Sequence, residues 1–534
     1  MSVPEYAPAD AGRRMRIARV VWAIGLPVAL LVYVLRLDHV CGLFVDDGWY
    51  VTLAKALATG QGYELLNAPS RGIVPFYPPG YPMLLSLVFR LAPDFPDNVW
   101  LLKSVSIAAM LGVAVITRRY AERHLELDPL LAVALTLATA LQGGFVFFAT
   151  STVMSECVFT LSQLASVVLL ERVARERGGS WTALAGGVLA GYAFLVRSMA
   201  VGLIGAGGLY LLLRRRWGAA IVFGVGAAAV AAPWMLYAGA HAATPAQQME
   251  VNDYVVFPYS THFWMALAGH PARGYVTAAD LPQRVFHDAY VIARSMIGSI
   301  VVYPLVRVIE FGEWGAVTEP IAWFSYGLTA LGLVGFVVAV RRRVGVAELL
   351  VPVSLLIVCL WPFFPFRFVL PFTPFLLYYV LLGFLAAVRL VARRDGRVLA
   401  LAAFALIIAG DLDSHFNHWR KLRAPPEGHP LWMRIHDEHR ELLAWVRDHV
   451  PVDQPVVAMN PAEAYLYSGR KAVGFWQTEG TWDEWRRLGI HYMVDVAYPD
   501  KNGNLLLMGF PAVYRTREFG LQILDVSRIY RQSH

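Results

Sequence analysis

The sequence predicts a polytopic α-helical membrane protein of about 11 spans, followed by a smaller C-terminal external α/β domain. Three observations carry that expectation. The 534 residues are 57% hydrophobic and only 16% charged, with a mean hydropathy of +0.50, against roughly 25% charged residues in soluble chains. Apolar runs near the length of a bilayer-crossing helix recur along the chain. Short basic clusters fall at alternate connections between those runs, as the positive-inside rule requires.

The first apolar run, about 18–36, follows Arg13, Arg14, Arg16 and Arg19. No small-residue cleavage pattern comes after it, so it reads as an uncleaved span rather than a signal peptide. Further spans are expected near 99–117, 129–149, 153–171, 181–196, 199–213, 218–239, 318–340, 346–364, 368–390 and 397–412. The clusters RRYAER (118–123), ERVARER (171–177), RRR (214–216), RRR (341–343) and RLVARRDGR (389–397) then share the cytoplasmic side with the N-terminus. The formal net charge of +7 is accounted for by this pattern and gives no ground for a nucleic-acid partner. Cys41, Cys157 and Cys359 show neither metal nor disulfide spacing.

This topology divides the chain into a membrane domain, 1–412, with external loops 38–98 and 240–317, and an external segment, 413–534. In the first loop Trp49, Leu53 and Leu57 share one helical face and Thr52, Lys55 and Thr59 the other, the pattern of an amphipathic helix on the membrane surface. In the last segment PVVAM, KAVGF and HYMVDV alternate with HRELLAWVRDHV and TWDEWRRLG, as short strands alternate with helices. The pairs His415/His418 and His436/His439 have a spacing that suits a metal, but without further ligands they read as exposed surface. No internal repeat is visible.

The chemistry concentrates at the outer ends of spans. Asp46 and Asp47 stand together in FVDDGWY, and Glu156 opens a descending span in STVMSECVF. Arg71 precedes VPFYPPGYP, Arg197 lies in FLVRSM and Arg367 in FPFRFVLP. Ionisable groups at such depths are costly and mark function. Each has a plainer reading: an aspartate capping the helix that follows, Glu156 paired with an arginine, arginines reaching to lipid headgroups, YPPGYP as a rigid turn.

In order, DDGWYVTLAKALATGQGY, YPPGYPMLLSL, SECVFTL, AGGVLAGYAFLVRSMA and RFVLPFTPFLLYY resemble the GT-C membrane glycosyltransferases of the protein-mannosyltransferase and aminoarabinose-transferase type. The resemblance runs from about 20 to 400, and the tail with AEAYLYSGR is similar to the external domain of some members. It implies a GT-C-like fold, a polyprenyl-phosphate sugar donor and a lipid, glycan or protein acceptor; the Ala/Arg/Gly bias and compact loops point separately to a bacterial inner membrane. The resemblance implies Asp46 as the catalytic carboxylate, with Asp47 and Glu156 beside it. Arg197 and Arg367 become the donor phosphate ligands, and Tyr77, Tyr81 and Trp49 line the substrate site. Two positions depart from the pattern. Asp47 stands where a glutamate is usual, and Tyr77 replaces the lysine that aminoarabinose transferases carry before the paired prolines. Arg71 is the candidate to supply that missing charge. Arginines clamping a monophosphate need no cofactor, although three acids together offer ligands for a divalent cation. The competing class is a transporter or flippase of a lipid-linked saccharide, which shares intramembrane charges but commonly shows repeated halves. A structural or sensor protein whose charges only pair is the third.

Overall fold

The computed structural model describes residues 8–175, 179–267, 269, 273–305, 317–475, 480–495 and 510–530. His270 and part of the ERVARER cluster lie outside them. Every apolar run named above forms helix. Among the described residues seven helices are long and apolar enough to cross a membrane, or eight if the bent pair Pro129–Leu141 and Gly143–Thr150 is one span. Gly80–Leu91, Ser180–Val196, Ser198–Leu213 and Ala347–Leu360 are apolar but shorter.

The peripheral helices expose large apolar side chains. Leu236 and Leu406 are each 75% exposed and Trp323 is 70%, which in water would be an aggregation surface and in a bilayer is the lipid face. Helices that meet inside the bundle do so through glycine. A Cβ at Gly335 would lie 1.7 Å from the Tyr379 carbonyl oxygen, and one at Gly383 1.9 Å from that of Leu331. The Glu319–Arg342 and Thr373–Ala392 helices therefore touch backbone to backbone, as small residues permit where no aqueous hydrophobic effect drives association. Gly187 and Gly191 do the same for Ser180–Val196 against Trp217–Ala240.

Two local expectations are corrected. The Asp46–Ala58 helix forms, but both its faces are covered: Trp49, Leu53 and Thr52 are all fully buried. The Gly80–Leu91 helix and the Pro461–Ser468 helix enclose it, so it is an internal strut rather than a membrane-surface helix. Periodicity reports an apolar face, not whether lipid or protein meets it. The second correction concerns the last apolar run, whose helix continues past 412 to Leu422. That extension buries His415 and His418 against the bundle, with a His415 Nε2 contact to the Leu141 carbonyl at 2.7 Å.

The C-terminal part builds a five-stranded mixed sheet from β1 (Val456–Ala458), β2 (Ala472–Val473), β3 (Tyr492–Asp495), β4 (Ala512–Arg515) and β5 (Gln522–Asp525), in the order β2-β1-β3-β5-β4. β1 pairs in parallel with β2 and β3, while β5 runs antiparallel to β3 and β4. Alternation along the strands feeds two small cores. Val456, Ala458, Val494 and Ile523 face one, and Val457, Met493 and Leu524 the other. This domain is fastened to both loops at one end of the bundle. Ala472 N–H donates to the Asn67 carbonyl at 2.8 Å, and Gly474 N–H to that of Val251 at 2.8 Å.

Candidate active site

The two adjacent acids of FVDDGWY have different jobs. Asp47 is fully buried, and its carboxylate accepts the backbone N–H groups of Gly42 at 2.9 Å and of Phe44 and Gly48 at 3.0 Å. Between these donors Val45 sits at φ 61°, ψ −66°, with Asp46 N–H donating to the Phe44 carbonyl at 2.7 Å. That is the rarer, positive-φ γ-turn, an outlier for a β-branched residue that costs on the order of 1–3 kcal/mol. Asp47 clamps the strained turn, and the turn aims Asp46. Neither acid is the N-cap, which is Val45. The C-terminal domain backs the turn. Asn460 Nδ2 donates to the Gly42 carbonyl, and Gly42 sits at φ +97°, which strains any side chain, with Glu463 Cγ only 3.0 Å from where a Cβ would lie. Burial lifts the Asp47 carboxyl to about 7, opposed by the Gly42 N–H and reinforced by Glu463.

A direct consequence is that Asp47→Asn is a folding lesion rather than a catalytic one. The amide cannot accept the Gly42 N–H that meets Oδ2. Above about pH 7, where the Asp47 carboxyl is charged, hydrogen bonds to it are worth about 1.5–3 kcal/mol each, so the thermal midpoint of the detergent-solubilised variant measured there should drop clearly. Activity per folded molecule should fall less than in Asp46→Asn, because the amide oxygen still accepts the Phe44 and Gly48 N–H groups. An unchanged midpoint would show that Asp47 does not hold the turn.

Asp46 faces a cluster drawn from five separate parts of the chain. Tyr77 OH and Tyr254 OH both donate to its Oδ1 at 2.5 Å, and Arg367 Nη2 meets Oδ2 at 2.6 Å. Arg367 Nε reaches Glu156 Oε1 at 2.8 Å, and Arg197 Nη1 reaches the same oxygen at 2.8 Å. Arg197 Nη1 also donates to Ser155 Oγ at 3.2 Å, which in turn contacts Tyr50 OH at 3.2 Å. Both guanidinium groups lie over the Phe368 ring, at 4.8 Å for Arg197 and 5.7 Å for Arg367. Burial pushes the Asp46 carboxyl up, but Arg367 and the two tyrosine hydroxyls outweigh it, so the group is held below the usual carboxylate range. Two carboxylates and two arginines make a neutral set. Exposure ranks its members: the side chains of Glu156 and Arg197 are 0% and 6% exposed, those of Asp46 and Arg367 14% and 24%. Asp46 and Arg367 are the more exposed pair.

Local structure explains the placement. Glu156 begins its helix, where a negative charge is favoured. Arg197 occupies the extended break between two short apolar helices. The YPPGYP turn wedges against that break. A Cβ at Gly80 would be 2.7 Å from the Leu195 carbonyl carbon, and Tyr192 OH donates to the Gly80 carbonyl at 3.2 Å.

The other candidates fall elsewhere. Arg71 is exposed, and its positive charge lowers the Lys471 ammonium after burial has done so; it lies with the C-terminal domain, not with Arg197 and Arg367. Tyr81 is fully buried with its OH at 3.2 Å from Ser106 Oγ, and Trp49 is fully buried in the core. Both are packing residues in this structure. His436 and His439, read as surface, are also buried. His439 Nδ1 lies 3.0 Å from a Glu463 oxygen, and His39, His436 and Asp437 bring ligand atoms within 4.8 Å of one another. Tyr254 and Lys103 are among the charged or hydroxyl groups that the sequence reading leaves out. Tyr254, in the second loop, carries no local signal. Lys103 does, as a cation inside an apolar run; it forms a fully buried pair with Asp38 at 2.7 Å.

No family model matches the sequence, and neither does any curated protein. Solved structures do. The apo ArnT of Cupriavidus metallidurans superposes with a TM-score of 0.57 at 13% identity, covering 96% of this chain and 99% of that one. The same protein bound to undecaprenyl phosphate gives 0.54 at 12% identity, covering 94% and 97%. The apo oligosaccharyltransferase of Archaeoglobus fulgidus gives 0.51 at 13% identity, over 89% of this chain and 69% of that one. The chain has the GT-C fold. At these identities the likeness concerns the fold and leaves the chemistry to the residues.

Proposed function

We propose that this protein is an integral-membrane glycosyltransferase that moves a sugar from a polyprenyl-phosphate-linked donor to an acceptor hydroxyl on the external face of the membrane. The observation that carries the reading is the neutral set Asp46–Arg367–Glu156–Arg197 at the end of the bundle where both loops and the C-terminal domain meet. It sits in a fold whose solved examples include a protein bound to undecaprenyl phosphate. In this reading the chain crosses eleven times, by the eight long or bent spans and three of the four shorter apolar helices, with Gly80–Leu91 left in the external loop. The N-terminus is then cytoplasmic, and residues 413–534 lie outside in a bacterial inner membrane.

The donor phosphate would draw on Arg367, the more open of the two arginines, with Arg197 behind it. Arg367 now neutralises Asp46, so a phosphate competing for that guanidinium frees a carboxylate oxygen as the donor arrives. The acceptor hydroxyl attacks the anomeric carbon and gives its proton to Asp46. The anomeric carbon–phosphate oxygen bond breaks, and the polyprenyl phosphate leaves with the electron pair. A single displacement inverts the anomeric centre, and the negative carboxylate stabilises the oxocarbenium-like charge in passing. Tyr77 and Tyr254 keep Asp46 aimed between the two substrates. The positive charge that serves the leaving group is supplied by arginine, which makes the reaction metal-independent in this proposal. A polyprenyl chain fits the apolar wall of YPPGYPMLLSLVF.

Two experiments test this. Deleting the gene and comparing envelope glycolipids and polysaccharides by mass spectrometry should reveal one missing sugar; an unaltered envelope would refute transfer. A reporter fused after His534 should signal from the external side. A cytoplasmic signal would put Asp46 on the wrong face.

A further inference from the structure

The end of the bundle away from Asp46 holds a cavity of about 980 Å³. Its position follows from two helices. Glu156–Arg175 starts at the acidic cluster and ends at this cavity with Glu171 and Arg175, about 28 Å away at 1.5 Å per residue. Thr373–Ala392, which continues from Arg367, ends at it with Arg389. The cavity is thus a bilayer's thickness from the Asp46 site.

Seven arginines line it against four carboxylates, and the carboxylates are engaged. Asp128 pairs with Arg14 at 3.0 Å, Glu126 with Arg175 at 3.4 Å and Glu171 with Arg343. Glu348 accepts Gly345 N–H at 2.7 Å and Tyr379 OH at 3.2 Å. Arg341, Arg342 and Arg389 have no carboxylate partner among the described residues. They project from the ends of the two helices that meet at Gly335 and Gly383. Immediately above them, toward the membrane centre, the same helices supply Val338, Leu382 and Leu385 to the wall. A positive-inside bias accounts for arginines on this side. It does not account for their lining a cavity whose deeper wall is apolar. That combination suits a molecule with an anionic head and hydrocarbon chains.

We propose that this cavity binds an anionic phospholipid of the cytoplasmic leaflet. Arg341, Arg342 and Arg389 hold the phosphate, and the acyl chains lie against Val338, Leu382 and Leu385. The test measures binding and is independent of sugar transfer. Full-length protein in phosphatidylcholine nanodiscs is titrated with short-chain phosphatidylglycerol, and separately with inorganic phosphate. Phosphatidylglycerol should bind and inorganic phosphate should not compete at equal concentration. The Arg342→Gln, Arg389→Gln double variant should bind about tenfold or more weakly, since it loses two charged hydrogen-bond donors. The Arg342→Lys, Arg389→Lys variant should keep most of the affinity, which separates loss of charge from loss of folding. Equal competition by inorganic phosphate would make this a simple anion site and overturn the lipid assignment. Unchanged affinity in the glutamine variant, or no preference for phosphatidylglycerol over phosphatidylcholine, would overturn the site itself.

Discussion

Asp46→Asn should lower transfer by roughly 10² to 10⁴ in rate, the range lost with a general base, while the protein still folds. Its drop in melting temperature should be smaller than that of Asp47→Asn, because the broken Arg367 contact is partly exposed. The folding half follows from the geometry. The turn that presents residue 46 is held by Asp47, Asn460 and the backbone, none of which the substitution touches. An asparagine Oδ1 still accepts Tyr77 and Tyr254. Arg367 loses its partner at 2.6 Å but keeps Glu156 at 2.8 Å. The catalytic half follows from the chemistry, because an amide cannot take the acceptor's proton. A purely structural Asp46 predicts the reverse pattern: a lowered melting temperature and full specific activity. Measuring both on the same preparation decides between them, and full activity at normal protein levels would remove Asp46 from the reaction.

That contrast with Asp47 could not be read from FVDDGWY itself. Two adjacent acids beside a span announce a site, because unpaired charge is expensive there. Their division of labour depends on backbone N–H directions set by a positive-φ turn. Asp46, Glu156, Arg197 and Arg367 stood out for one shared reason, each being an ionisable group in or against an apolar run. The fold links all four in one chain of ion pairs, Asp46–Arg367–Glu156–Arg197. Lys103 carried the same signal and belongs to a buried pair with Asp38. Tyr254 had no such contrast, being one aromatic in a loop rich in them, 208 positions from the carboxylate it meets. Trp49 and the histidines at 415, 418, 436 and 439 show the opposite limit. Their spacing suggested a lipid-facing stripe and a polar surface, yet protein covers them. Hydrophobic periodicity distinguishes apolar from polar contact but not lipid from protein, and it is silent on which loop folds over which.

The arginines provide the other large effect. Arg367→Ala should weaken binding of a short-chain polyprenyl phosphate, without its sugar, by roughly tenfold to a hundredfold, the worth of one charge-assisted hydrogen bond at about 1.5–3 kcal/mol. Arg197→Ala is the less clean experiment. Its guanidinium is buried beside Glu156, and removing one partner of a buried pair costs about 3–5 kcal/mol of stability. Arg367→Lys should recover only part of the affinity, since an ammonium lacks the planar fork that now spans Asp46 and Glu156 at once. The sharper control is Glu156→Gln. If the arginines exist to pair with Glu156, neutralising that acid leaves phosphate affinity unchanged. If they await a phosphate, the substitution removes a competitor for both, and affinity should hold or rise while Arg367→Ala still lowers it. Titrating the detergent-purified variants with the same polyprenyl phosphate separates these outcomes. Equal affinity in wild type, Arg367→Ala and Arg367→Lys would mean that the cluster only balances its own charge, and the donor would have to bind elsewhere.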